Sequence, residues 1–268
     1  MSYVAPIQHL IDWQFTFECL FHNSDDTLPT SHQYSSSVLF KLQNLNRALP
    51  TLEWLKLRQP HIYSASWFCC LCNTQKETWH HIYSCFKNAQ SVLDIRDCFF
   101  KRICDQTDDL APLTVYSTWQ IMSSSSAFSF NNTSSDQFSF IHLINSLVPL
   151  SITTTMAAQG LNQSQIKGIL LPAMFALSKD LYNLIWKPRC DITIQRQLSM
   201  GLSQRSKKIK YRNRPTSSIV PPSSQRVPRA SSLDNWSTWV HNSLVFGNSW
   251  LNFRRLLEYF QFPIVLFY

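Results

Sequence analysis

Cys69 and Cys72 form a Cys-x-x-Cys pair, and a short way downstream His81 and Cys85 form a His-x-x-x-Cys pair. No other feature limits the fold of this chain as much. Two soft thiolates on a tight turn, joined by a histidine and a cysteine on one helix face, are what a tetrahedral zinc ion needs. A helix running from Trp79 to about Cys104 puts His81 and Cys85 one turn apart, with Cβ atoms about 6 Å from each other. On that helix His80 points about 140° away from Cys85, towards a different surface. Cys70 lies inside the turn between the paired cysteines, and its side chain is expected to point away from the metal. The expected site is therefore Cys3His, made of Cys69, Cys72, His81 and Cys85 around a structural Zn2+. All four ligands must be deprotonated to bind, so uptake is expected to fall in acid.

Other readings of the same residues exist. Buried cysteine is common as a small hydrophobe. A thioredoxin-type redox pair calls for a preceding strand in a βαβ context, which this sequence does not present. A zinc hydrolase needs an open coordination position, and four protein ligands leave none. Glu77 precedes His81 by four but lacks the two-histidine helix of zinc proteases. No catalytic residue and no enzymatic activity is expected.

A longer run carries a resemblance. Leu49-Pro50-Thr51-Leu52, then Leu55, Arg58, Pro60 and Tyr63, lead into Cys69-x-x-Cys72, Glu77-Thr78-x-x-His81 and Cys85. Over residues 39–101 this resembles the zinc-binding domain that follows the polymerase region in reverse transcriptases of non-LTR retrotransposons. Cys70 stands where that family usually has proline. The family's Cys, Cys, His and Cys fall on the four residues that geometry selects. The resemblance implies contact with element RNA or target DNA beside a polymerase, although no polymerase-type Asp-Asp motif occurs in this sequence.

The 268 residues, 44% hydrophobic and 13% aromatic, supply ample material for a core. With 4 glycines and neither G-x-G-x-x-G nor a Walker loop, the chain is not expected to take a nucleotide or other small-molecule cofactor. No basic and apolar leader opens the sequence, and no apolar run approaches the ~18 residues that span a bilayer. The 8 cysteines are read as reduced thiols of a nuclear or cytoplasmic protein. The net charge of +8 is concentrated: nine of the 24 basic residues, and no acidic one, lie between Ile192 and Leu233.

In order, the chain reads as an unassigned N-terminal segment (1–37), the zinc-binding module (38–105), a Ser/Asn-rich linker (106–138), a helical region (139–190), a basic disordered linker (191–232) and Trp-rich C-terminal helices (233–268). Val38, Leu39, Leu42 and Leu45 recur at helical spacing. Thr51 is placed to cap a helix through Leu52, Leu55 and Leu57, ended by Gln59-Pro60. A longer helical signal runs over residues 162–186 and is interrupted by Pro172. The expected fold is mainly α, with a small Cys3His zinc knuckle among amphipathic helices and disordered Ser- and basic-rich linkers.

Aromatic residues crowd the ligands, either as a small core or as stacking surfaces for bases. Trp79 is the best stacking candidate, and Lys76 is placed to meet phosphate. Arg205, Lys207, Lys208, Lys210, Arg212 and Arg214, interleaved with Tyr211, suit a phosphate backbone or form a solvated linker. Three functions stay open. One is a retroelement-derived module binding RNA or single-stranded DNA. Another is a zinc-stabilised scaffold that holds a protein partner through its helices or Trp-rich tail. The last is a non-functional fragment of such an element.

Overall fold

Two long helices, α5 (Ala89–Leu110) and α9 (Gln163–Asp180), bury apolar residues at every third or fourth position and pack along each other. Val92, Ile95, Phe99, Phe100 and Ile103 on one side meet the stripe of Ile166, Ile169, Leu170, Ala173 and Leu177 on the other. Apart from Ala173, each such side chain contributes about 1.5–3 kcal/mol when fully buried. The computed structural model describes residues 4–25, 31–110, 118–130 and 137–202. Among these the fold is mainly helical, with no strand and one antiparallel bridge, Ile11 to Pro149.

The N-terminal segment is part of the body. Asp12 caps α1 (Trp13–Phe21) by accepting the Phe15 N–H at 3.1 Å, and accepts the Thr153 hydroxyl at 2.9 Å. The polar end of this unassigned segment turns helical at residue 32. Ser31 caps α2 (His32–Leu45) through the Tyr34 N–H, and the Tyr34 hydroxyl donates to the Phe21 carbonyl at 3.1 Å. Lys41 of α2 is fully buried and donates to the carbonyls of Cys19, Leu20 and His22 at 3.0–3.4 Å, closing the C-terminal end of α1. Burial pulls its pKa down to about 8.

Thr51 caps α3 (Leu52–Arg58) as its spacing predicts, but Leu57 is 84% exposed. The stretch read as a linker from 106 to 138 is also ordered where described. α5 continues to Leu110, and α6 (Thr118–Ser123) and a 3-10 turn (Ser126–Phe128) follow. Thr118 donates both N–H and hydroxyl to the Asp108 carboxylate, while Met122 and Ala127 are buried. The Phe128 ring meets Phe100 at 5.1 Å and carries the Arg96 guanidinium at 4.2 Å. Serine-rich composition hid these contacts. Short helices α7 (Phe140–Ile144) and α8 (Leu150–Ala158) lead into α9, which runs through Pro172 without ending.

The helix expected to stop at residues 186–190 does not stop. A π-helical turn, Leu181–Trp186, joins α9 to α10 (Lys187–Ser199), so residues 191–199 are helical where a disordered linker was expected. Pro188 cannot donate to the carbonyl four residues back, and a widened turn before it gives its ring room. One buried cluster runs from Val4 to Trp186, crossing every boundary that composition suggested within those residues. Beside it, Cys69, Cys72 and Cys85 form a small cluster of their own with Leu71.

Candidate metal centre

The first cysteine pair sits on a loop closed by its own backbone. Cys69 N–H donates to the Gln75 carbonyl at 2.8 Å, and Asn73 N–H donates to the Cys69 carbonyl at 2.9 Å. Asn73 takes φ +56°, a left-handed turn that asparagine tolerates. The second pair begins on α4 (Trp79–Ser84), which Thr78 caps by accepting the His81 N–H at 3.1 Å. Trp79, Ile82 and Tyr83 turn one face of α4 into the main core, leaving His81 to face the cysteine loop.

The continuous helix expected from Trp79 to Cys104 is broken. Cys85 is extended, at φ −61° and ψ 129°, and α5 starts anew after Asn88, whose side chain caps the Ile82 carbonyl at 2.8 Å. The break leaves the convergence intact. The Sγ atoms of Cys69, Cys72 and Cys85 and a ring nitrogen of His81 all lie within 4.8 Å of one another, and all four residues are buried. Cys72 Sγ and His81 Nε2 are 3.4 Å apart. A tetrahedral ion held by three thiolates and an imidazole has S···N edges of about 3.6 Å and S···S edges of about 3.8 Å. The donor set and its spacing fit a metal ion.

Hydrogen bonds prepare the sulfurs unequally. The Cys69 thiol is pulled down to about 4, first by the Cys70 thiol donating to it and then, against burial, by the N–H groups of Cys72 and Leu71. Burial works against Cys72, but the Thr74 hydroxyl at 3.2 Å, neighbouring N–H groups and His81 outweigh it and lower its pKa. Burial pushes Cys85 up to about 11. His80 is exposed, its Nδ1 3.3 Å from the Ser84 hydroxyl, outside the cluster.

Cys70, expected to point away from the cluster, reaches the Cys69 sulfur, and its other neighbours are ones the sequence did not announce. Its Sγ lies 3.5 Å from Glu77 Oε2, and the Thr193 hydroxyl of α10 donates to it at 3.4 Å. Glu77 is fully buried, accepts the Leu52 N–H at 2.8 Å, and forms an ion pair with Arg189 of α10. Two turns on from Arg189, Gln197 donates to the Tyr63 hydroxyl at 3.0 Å. Arg189, Thr193 and Gln197, four apart, thus turn one buried face of α10 against the metal loop. That spacing of polar residues is the available signal, and the expected boundary at residue 190 separates Arg189 from Thr193 and Gln197. Glu77 thus joins the cysteine loop to α3 and α10.

Trp79 does not stand at the surface. It is 6% exposed, donates to Asn44 Oδ1 at 3.0 Å, and is covered by the Arg47 guanidinium at 4.9 Å. Stacking on a base would require it to leave the core, because its indole N–H and its hydrophobic neighbours hold it there. Lys76 is exposed on the cysteine loop. Arg205, Lys207, Lys208, Lys210, Arg212, Arg214 and the Trp-rich segment lie outside the described residues.

Comparison with known family models, curated proteins and solved structures finds no match. Among the described residues no helix is long and apolar enough to cross a membrane.

Proposed function

We propose that this chain is a zinc-dependent, non-catalytic module that binds RNA or single-stranded DNA in the nucleus or cytoplasm. The observation that carries the reading is the buried convergence of Cys69, Cys72, His81 and Cys85. Three soft sulfurs and one imidazole favour Zn2+, and a full set of four protein ligands makes the ion structural. The ion would fasten the cysteine loop to α4 and so present a surface for α10. Nucleic acid as the ligand is supported by the family-like run over residues 39–101 and by the basic stretch 205–214, which would supply salt-sensitive affinity.

The test has two arms. Native mass spectrometry of protein produced with zinc should find one ion, lost in Cys85→Ser; a metal-free wild type would remove the zinc assignment. Fluorescence titration with single-stranded RNA should find binding that weakens steeply with salt and on deletion of residues 205–229. Absence of binding at low salt would favour the second reading, a zinc-stabilised scaffold for a protein partner. That reading draws on Leu184, Ile194 and Leu198, which are 56%, 47% and 64% exposed.

A further inference from the structure

Cationic side chains lie beside one exposed ring, Phe68, and two half-buried ones, Trp54 and Trp67, around the cysteine loop. The Arg196 guanidinium of α10 lies 4.8 Å from the Trp67 ring centroid and donates to the Phe68 carbonyl at 3.1 Å. On α3, Arg58 lies 4.6 Å over the Trp54 ring. Lys56 ties that helix to the same loop by donating to the carbonyls of Ala65 and Trp67. Cys69 N–H donates to the Gln75 carbonyl, which closes the loop between Phe68, whose side chain is 42% exposed, and the exposed Lys76. Glu53 is neutralised by Lys56 at 2.7 Å, so the face carries net positive charge. α10 ends here too: Leu202 N–H donates to the Gln197 carbonyl at 2.9 Å, a few residues before the basic stretch begins.

We propose that this face of the metal loop is the docking surface for a single strand of nucleic acid. A base stacks on Phe68, the Arg196–Trp67 pair offers a second flat surface, and Lys76 meets the phosphate between them. Aromatic rings and guanidinium planes both accept stacked bases, and cations between them track the backbone. A duplex keeps its base faces covered and cannot use the rings. The inference rests on the nucleic-acid reading above and adds where the strand lies. It places stacking on Phe68 in the role that Trp79 cannot fill.

The experiment is fluorescence anisotropy of zinc-loaded full chain with a labelled oligouridylate, with zinc content of each variant checked by native mass spectrometry. Phe68→Ala should weaken binding about five- to a hundredfold at unchanged zinc content. Lys76→Gln should lower the slope of log affinity against log salt by about 0.7. A duplex of equal length should bind more weakly and ignore Phe68→Ala. Wild-type affinity in Phe68→Ala, Arg196→Ala and Lys76→Gln would overturn this face while leaving the nucleic-acid reading standing. Failure of the wild type to bind at low salt would remove both. An acidic peptide whose binding is lost in Phe68→Ala, with oligouridylate binding unaffected, would assign the face to a protein and overturn the proposal.

Discussion

Arg189 of α10 and Glu77 of the metal loop, 112 residues apart in sequence, form a buried ion pair in which the side chains are 3% and 1% exposed. Glu77 also holds the Leu52 N–H, and Cys70 beside it donates to the thiolate of Cys69. The candidate metal centre and the last described helix are therefore joined through charge. A buried pair is costly to break from one side, because the surviving charge has no water to turn to.

Arg189→Met should destabilise the fold by about 3–5 kcal/mol. Glu77→Gln should cost a comparable amount: an amide oxygen can still accept the Leu52 N–H, but the Arg189 guanidinium stays buried without its counter-charge. Urea denaturation at saturating zinc measures both, and equal small effects would show that the pair is not a principal contact.

Stripping the metal should loosen α10, although none of the four candidate ligands lies on it. Hydrogen exchange of residues 187–199 should quicken on chelation, while the buried middle of α5 stays protected. Unchanged protection along α10 would mean that its docking does not need the ion.

Asn44 Oδ1 accepts both the Trp79 indole N–H at 3.0 Å and the Tyr83 hydroxyl at 2.8 Å. Asn44→Leu leaves two buried donors unpaired, at about 1–3 kcal/mol each. Trp79→Phe should likewise lower stability, yet leave the RNA affinity of the folded protein unchanged. A selective loss of affinity would return this indole to the binding surface.

Alkaline pH should expose the buried thiols. Burial, reinforced by Asp108 and Asp105, pushes Cys104 from 9.0 up to about 12. The folded state then keeps a proton that the unfolded chain gives up, so this contribution is complete below pH 9 and drains away as pH climbs towards 12. Lys41 runs the other way: its pKa falls from 10.5 to about 8, so its contribution grows with pH across that interval. Cys104→Ala should flatten the alkaline fall by up to about 1.4 kcal/mol per pH unit, and Lys41→Met should steepen it. Urea midpoints taken between about pH 8 and 10 distinguish the two, and parallel curves would contradict the burial argument.

The four candidate ligands were readable because all lie within residues 69–85, where spacing alone decides which side chains can meet. The helices α5 and α9 were readable for a similar reason, their apolar stripes being local patterns. Arg189 was not, since no local rule links it to Glu77 across so much chain. Trp79 was not legible either, since a tryptophan beside a ligand looks the same in sequence whether it faces water or the interior. What decided it was Asn44, on another helix. Over residues 118–128 serine content points to a linker, yet a few buried positions such as Met122 and Ala127 set the packing.

The widened turn at Leu181–Trp186 sets the phase of everything after it. An α-helix advances about 100° per residue, so removing one residue there would rotate α10 by roughly that angle. Arg189, Thr193 and Gln197 would swing away together, and the metal loop would lose three polar anchors without any of them being altered. A one-residue deletion in this turn is thus a long-range mutation of the cysteine cluster, acting only through angle.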